Sequence, residues 1–225
     1  QKPSSAASDV YKRQILIIGV GGLGCPAAEN LVRAGIGTIG LVDNDIINLS
    51  NIHRQSLFTS KDIKKSKVSV AAKKLREINP STKIKTYKSR LNKNNIKNII
   101  KDYEIIIDGS DNFKTKFLIN DFCVKFKKKL VTGAISKFDG HVFTFDFNDK
   151  KTASLKSFYQ ENEISDNDLN CEFEGVLGTT ASIVGTTQAN EALKMIMKIG
   201  QTLKNQILII DLLNLNFRKV KFNRK

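Results

Sequence analysis

The chain has 225 residues, three cysteines and a formal net charge of +15, enough length to bury one sizeable α/β core. It contains no run of about 18 apolar residues, which excludes a helical membrane span in the sequence as read. Cys25, Cys123 and Cys171 are scattered without a C-x-x-C pair, which argues against a disulfide framework or a zinc knuckle and fits a reducing cytoplasm.

The charge has two readings: a nucleic-acid surface, or a composition biased toward Lys, Asn and Ile. The basic residues are spread along the chain and are not gathered beside aromatics, so the second is favoured and no nucleic-acid partner is expected. A basic surface would still attract an acidic protein.

Residues 1–14 show no amphipathic period and no apolar h-region. They read as a non-native tail, with residues 15–225 forming a single domain. Ile15-Leu16-Ile17-Ile18 is an apolar, β-branched run without polar alternation, the pattern of a strand buried on both faces of a parallel sheet. Gly19-Val20-Gly21-Gly22-Leu23-Gly24 then fits G-x-G-x-x-G. Such a turn brings backbone N–H groups close to a phosphate, and the following helix adds its N-terminal partial charge. Residues 25–34 read as that helix, with Pro26 in its first turn and Gly35 as its stop. A second apolar run, residues 39–42, ends on Asp43, 19 residues past Gly24, where an acid accepts hydrogen bonds from ribose hydroxyls. Alone, this fingerprint is shared by NAD, FAD and ATP enzymes, and a glycine turn without a ligand is its bland alternative.

Residues 44–60 have no clean period and read as a loop with short helical pieces. Residues 61–79 are a helix, with Val68, Ala71, Ala72, Leu75 and Ile78 on one face and Pro80 at its end. A short strand over 83–87 and a short helix over 94–101 follow. Residues 104–108 read as a third buried strand running into Asp108-Gly109-Ser110-Asp111-Asn112, then a helix over 113–127 and a strand over 130–133. Residues 140–147 alternate as a strand with one buried face would, with Val142, Thr144 and Asp146 set against His141, Phe143, Phe145 and Phe147. The fold class is therefore α/β: a Rossmann-like, mostly parallel sheet with helices on both faces, extended by antiparallel strands in the C-terminal third. Residues 149–174 are polar and aperiodic, residues 179–198 a long helix with a small-residue side, and residues 206–211 and 215–222 closing strands.

Beyond the glycines lie Asp43-x-Asp45, then Ser50-Asn51-Ile52-His53-Arg54-Gln55, then Lys67, then Asp108-x-x-Asp111-Asn112. With Cys171, Gly175-Val176-x-Gly178 and Gln188-Ala189-x-Glu191-Ala192-x-Lys194, this set resembles the MoeB/ThiF/HesA adenylyltransferases, relatives of the ubiquitin-activating enzymes, from residue 15 to about 225. The resemblance implies an ATP-binding adenylyltransferase domain. It would use Mg-ATP to activate the C-terminal Gly-Gly carboxylate of a small ubiquitin-like sulfur carrier, of the ThiS or MoaD type, for thiamine or molybdopterin biosynthesis. It implies Gly19, Gly21 and Gly22 against the nucleotide, Asp43 on the ribose, Asn51, Arg54 and Lys67 on the phosphates and Asp111 on Mg²⁺. Arg54, Lys67 and Asp111 are then the catalytic set, and Asp45, Ser50, Gln55 and Asn112 their support. Asn112 reads equally as a helix N-cap. His53 and His141 read as structural or surface residues.

The residue types suit that reaction by themselves. A carboxylate attacking the α-phosphorus of ATP needs cations to offset anion–anion repulsion. Arg54 is a planar bidentate donor and Lys67 a compact charge. No general base is required, because the nucleophile arrives ionised. Alternatives from the same family are activation of a small molecule or of a tRNA nucleoside. A non-catalytic binding subunit and an NAD-dependent oxidoreductase are others, although the latter has no use for Arg54, Lys67 and Asp111 together.

The chain departs from that pattern in two places. Most relatives carry two C-x-x-C pairs for zinc; here Ala153-Ser154-Leu155-Lys156 stands at the first, so no structural zinc is expected. Relatives also have an N-terminal arginine that crosses to the neighbouring subunit's ATP, and Arg13 lies too close to the first strand to replace it. A homodimer is implied by the resemblance and by the small-residue side of the 179–198 helix. Cys171 has two readings, a sulfur-handling thiol or a small buried residue.

Overall fold

The structure is a computed structural model, and it describes residues 10–159 and 175–222. An eight-stranded sheet runs in the order β3-β2-β1-β4-β5-β6-β7-β8. Strands β1 (Gln14–Ile18), β2 (Thr38–Val42), β3 (Lys83–Tyr87), β4 (Ile105–Asp108) and β5 (Lys129–Ser136) carry the parallel part. Strands β6 (Asp139–Asp146), β7 (Gln206–Asp211) and β8 (Asn216–Lys221) continue it antiparallel. The change from βα units to adjacent hairpins is the one the sequence pattern predicts.

The parallel strands are apolar throughout because helices cover both their faces. Ile15, Ile17, Ile105, Ile107 and Val131 point to a core shared with α1 (Gly24–Arg33), α2 (Lys67–Ile78) and α5 (Gly178–Met197). Leu16, Ile18, Ile106 and Leu130 point to a second core with α3 (Ile96–Ile100) and α4 (Phe113–Lys125). Adjacent residues of one strand therefore serve opposite layers, the period-two rule of a strand. Among the described residues no helix is long and apolar enough to cross a membrane.

Three expectations change. Strand β6 is buried on both faces: Val142, Phe143, Thr144 and Phe145 are all at most 1% exposed. Its Phe143 side meets Phe158, Tyr159 and Phe222, while Val142 meets the α5 layer, so alternation of residue type there marks two different cores. The small residues of α5 are used inside the chain, against α1 and the sheet, and so give no support to a dimer face. Strand β8, expected to help close the core, is exposed along its whole length.

The strand order reverses between β1 and β4, both of which pair with parallel neighbours up to Ile18 and Asp108. Open α/β sheets bind ligands in the crevice outside the strand C-termini at such a switch point.

Candidate functional site

Two turns meet in that crevice. Chain leaving β1 turns at Gly19, whose φ of +88° disfavours any side chain. A Cβ at Gly24 would lie 1.9 Å from the Gly19 carbonyl oxygen, so the start of α1 closes onto the end of β1 only without one. Against it lies the turn after β4, where the Gly109 N–H donates to the Ile18 carbonyl at 2.8 Å. Asp43, one residue past β2, braces the glycine turn. One carboxylate oxygen accepts from the Val20 N–H at 2.8 Å and the other from the Asp45 N–H at 2.8 Å. Each oxygen keeps a lone pair for a further donor.

A basic wall rises from the connection between β2 and α2. A 3₁₀ turn over Leu49–Arg54 presents Asn51 and Arg54, with the Arg54 Nη2 donating to Asn51 Oδ1 at 3.0 Å. Lys67 opens α2, is 5% exposed, and its ammonium lies 3.0 Å from an Asp45 carboxylate oxygen. The Lys67 N–H also donates to the Asp45 carbonyl at 3.1 Å, which fixes the two residues side by side. Gln55 is 3% exposed beneath the glycine turn, and its Oε1 has no hydrogen-bond partner. A buried orphan acceptor of this kind calls for a donor from a ligand or water.

The facing wall is the turn after β4. Asp111 is exposed, and one carboxylate oxygen accepts from Asn112 Nδ2 at 3.1 Å. Asn112 Oδ1 accepts from the Thr115 N–H at 2.9 Å, so Asn112 is the N-cap of α4 and lines the cavity as well.

Together these walls enclose a cavity of about 340 Å³, within the usual range for small-molecule sites. Gly19, Gly21, Gly22, Asp43, Asp45, Asn51, Arg54, Gln55, Lys67, Asp111 and Asn112 all line it. Ser50 does not; it sits exposed on the 3₁₀ turn. Sequence reasoning missed Ser89, Arg90 and Leu91 after β3, Ala134 and Ile135 of β5, and Lys116 of α4. A signal existed for Lys116: it lies one residue before Phe117 and four before Asn120, on the stripe of α4 that turns inward. Cys171 lies outside the described residues. Cys25 and Cys123 are buried, and burial pushes the Cys25 thiol up to about 12.

The donor set fits a nucleotide with its metal. Among the described residues no three His, Cys, Asp or Glu side chains converge to hold an ion by protein alone. Magnesium arriving on nucleotide phosphates needs only one or two carboxylates, and Asp111 offers an accessible one on the cavity wall.

The family described as ThiF matches residues 4–225. A probable molybdopterin-synthase adenylyltransferase of Porphyra purpurea is 42% identical over 208 residues, covering 92% of this chain and 54% of the relative. A sulfur carrier protein adenylyltransferase of Thermus thermophilus is 36% identical over 216 residues, covering 95% and 80%. The Drosophila virilis adenylyltransferase and sulfurtransferase MOCS3 is 38% identical over 211 residues, covering 94% and 46%. The chain thus spans about half the length of most of these curated relatives. The crystal structure of E. coli MccB with ATP superposes with a TM-score of 0.86 at 20% identity, covering 98% of this chain and 66% of that one, a likeness of fold.

Proposed function

The chain belongs to the ThiF family, and on that premise we propose that it is an adenylyltransferase that activates the C-terminal Gly-Gly carboxylate of a ubiquitin-like sulfur carrier with Mg-ATP. The observation that carries this reading is convergence. Arg54, Lys67 and Asp111 come from separate segments and line one cavity at the switch point of the sheet. The names of the relatives support the acceptor class, a sulfur carrier, and the pathway class, molybdopterin synthesis; thiamine synthesis rests on the family resemblance alone.

In this reading the glycine turn and the N-terminus of α1 receive the phosphates. Asp43 accepts from the ribose hydroxyls with its remaining lone pairs. Arg54 and Lys67 face the anionic oxygens. In the structure their partners are Asn51 Oδ1 and the Asp45 carboxylate, which keep both cations aimed into the cavity. The carrier's carboxylate oxygen bonds to the α-phosphorus, the bond from that phosphorus to the α,β-bridging oxygen breaks, and pyrophosphate leaves with the electron pair, giving the acyl-adenylate. Arg54 and Lys67 stabilise the charge that builds on the equatorial and leaving oxygens, which needs no proton transfer. Asp111 would hold a magnesium ion carried on the nucleotide, which would supply further charge neutralisation. Gln55 and Asn112 support these groups from below and beside.

We propose further that the protein works as a homodimer in a reducing cytoplasm and holds no structural zinc, since its cysteines form no ligand pair. The decisive experiment is isotope exchange of pyrophosphate into ATP with the purified protein. Exchange that depends on a carrier ending in Gly-Gly is expected. Exchange without a carrier, or hydride transfer with NAD, would overturn the proposal.

A further inference from the structure

A buried charge pair lies directly beneath the cavity. Asp108 is 1% exposed at the last position of β4, and Lys116 is 4% exposed one turn into α4. Asp108 is fully engaged: one oxygen accepts from the Ser110 N–H at 2.9 Å and the Ser110 hydroxyl at 2.6 Å. The other accepts from Lys116 at 3.2 Å and from the Thr132 hydroxyl. The Lys116 ammonium also donates to the Gly133 carbonyl at 2.6 Å.

The opposite side of the sheet carries a matching contact. Gln188, 0% exposed on α5, donates through Nε2 to the Asp108 carbonyl at 2.7 Å and to the Val131 carbonyl at 3.3 Å. The β4–β5 ladder ends at Asp108 and Thr132, so this side-chain amide takes over where the backbone ladder stops. A Cβ at Gly133 would lie 2.8 Å from the Gln188 side chain, so glycine there makes room for the amide. Helix α5 belongs to the layer of Ile105 and Ile107 and helix α4 to that of Ile106, so the two donors grip the end of β4 from opposite faces.

We propose that Lys116 and Gln188 are positioning residues that clamp the turn from Asp108 to Asn112, and that through this turn they set where Asp111 stands. The inference rests on the adenylyltransferase reading for what Asp111 does, but the clamp itself is read from the hydrogen bonds. Three features support it. The turn leaves the β4–β5 ladder at Asp108 and is tied to β1 through the Gly109 N–H, which donates to the Ile18 carbonyl. Its first side chain is held by Lys116, Thr132 and Ser110, and its first carbonyl by Gln188. And a charge pair is buried where packed apolar residues often serve stability as well, which leaves geometric specificity as a use for it.

The test compares Lys116→Met, Lys116→Arg and Gln188→Met with the wild type. The first readout is Mn²⁺ affinity measured by electron paramagnetic resonance, with a non-cleavable ATP analogue bound. The second is carrier-dependent pyrophosphate exchange, split into kcat and the KM for ATP. Partners that orient a metal ligand are typically worth about 10- to 100-fold in metal affinity or rate. Lys116→Met is therefore expected to weaken Mn²⁺ binding and kcat by about that factor, with the KM for ATP held within about threefold. Lys116→Arg should recover most of both. If Lys116→Met does not fold, Gln188→Met, which strands no charge, carries the same expectation for Mn²⁺. Wild-type Mn²⁺ affinity in whichever of Lys116→Met and Gln188→Met folds would overturn the clamp. So would a loss that appears only as a lower urea midpoint. A wild type without exchange activity but with clamp-dependent Mn²⁺ binding would instead overturn the adenylyltransferase reading alone.

Discussion

Asp43 and Asp111 are both carboxylates on the cavity wall, yet their surroundings assign them different work. Asp43 already holds the glycine turn through Val20 and Asp45, so Asp43→Ala should loosen that turn as well as remove the proposed ribose acceptor. Hydrogen bonds to charged groups are worth about 1.5–3 kcal/mol, so ATP affinity should fall by about 10- to 100-fold, read by titration with a fluorescent nucleotide. Asp111→Ala should leave that affinity near normal and cost about 100-fold or more in exchange rate. Equal effects of the two substitutions on binding would contradict the division. Cys25 makes a separate point. It sits in the first turn of α1, where the helix dipole favours a thiolate, but complete burial wins and raises its pKa to about 12. Burial raises Cys123 likewise. Native protein treated with iodoacetamide at pH 8 should therefore carry no label on either, and a modified Cys25 peptide in the mass spectrum would refute this. Residues spaced along one contiguous motif, from Gly19 to Lys67, were legible in the sequence because their spacing is itself the signal. Leu91 was not, because what puts it at the cavity is strand order, which the local pattern does not encode.

Between β2 and α2 lies the element that carries the basic wall, and it has its own internal lock. Asp62 accepts from the Thr59 N–H at 3.0 Å and the Thr59 hydroxyl at 2.9 Å, and from Lys74 of α2 at 2.7 Å. The sequence showed this stretch only as an aperiodic loop running into a helix, because a capping box and an ion pair leave no hydrophobic period. The Lys74 ammonium, above all, and the Thr59 donors hold the Asp62 carboxyl well below the usual carboxylate range. A depressed folded pKa stabilises the fold above the unfolded value of 3.8, and that stability is lost as pH falls below it. Asp62→Asn should thus lower stability by about 1–2 kcal/mol at pH 7 in urea titrations. The gap to wild type should shrink as pH drops below about 4. A gap that stayed constant with pH would mean that Asp62 contributes by shape and not by charge. At the same scale, the buried strands β1, β2 and β4 were read from uninterrupted apolar runs, whereas the helix expected over 61–79 begins only at Lys67, because Ser60–Asp62 forms a 3₁₀ turn ahead of it. Strand β6 was not fully legible: an alternating pattern specifies that the two faces differ, and cannot say that both are covered.

Across the whole molecule the sheet is asymmetric in what it buries, and this decides how its last strands stabilise it. The sequence pattern places two closing strands, 206–211 and 215–222, at the end of the sheet, where both would add to its stability. The structure divides that role unequally. Ile207 and Ile210 of β7 are 0% exposed and belong to opposite layers of the core. Strand β8 is solvent-exposed at all six positions and carries Arg218, Lys219 and Lys221, charges that suit an edge strand protected from pairing with another chain. Its neighbour Phe222 reaches back to Phe143 and Phe158, with ring centroids 6.0 and 5.8 Å apart. Ending the chain after Leu212 should therefore leave a folded domain. The cost should be one partly buried aromatic and a set of exposed ladder bonds, on the order of 2–3 kcal/mol. Ile210→Ala in the full chain should cost as much or more, about 2–5 kcal/mol, from a single residue, because it opens a cavity between α5 and the sheet. Truncation has a second consequence that the point substitution lacks. It bares the apolar β7 edge, so the shortened domain should self-associate at concentrations where the full chain and Ile210→Ala stay in their native assembly. Urea titration and size-exclusion chromatography of the three proteins read both effects. A truncated chain that is unfolded at low urea would show that β8 contributes more than its exposure accounts for. One that keeps the full chain's assembly state would show that charge on β8 is not what guards the edge.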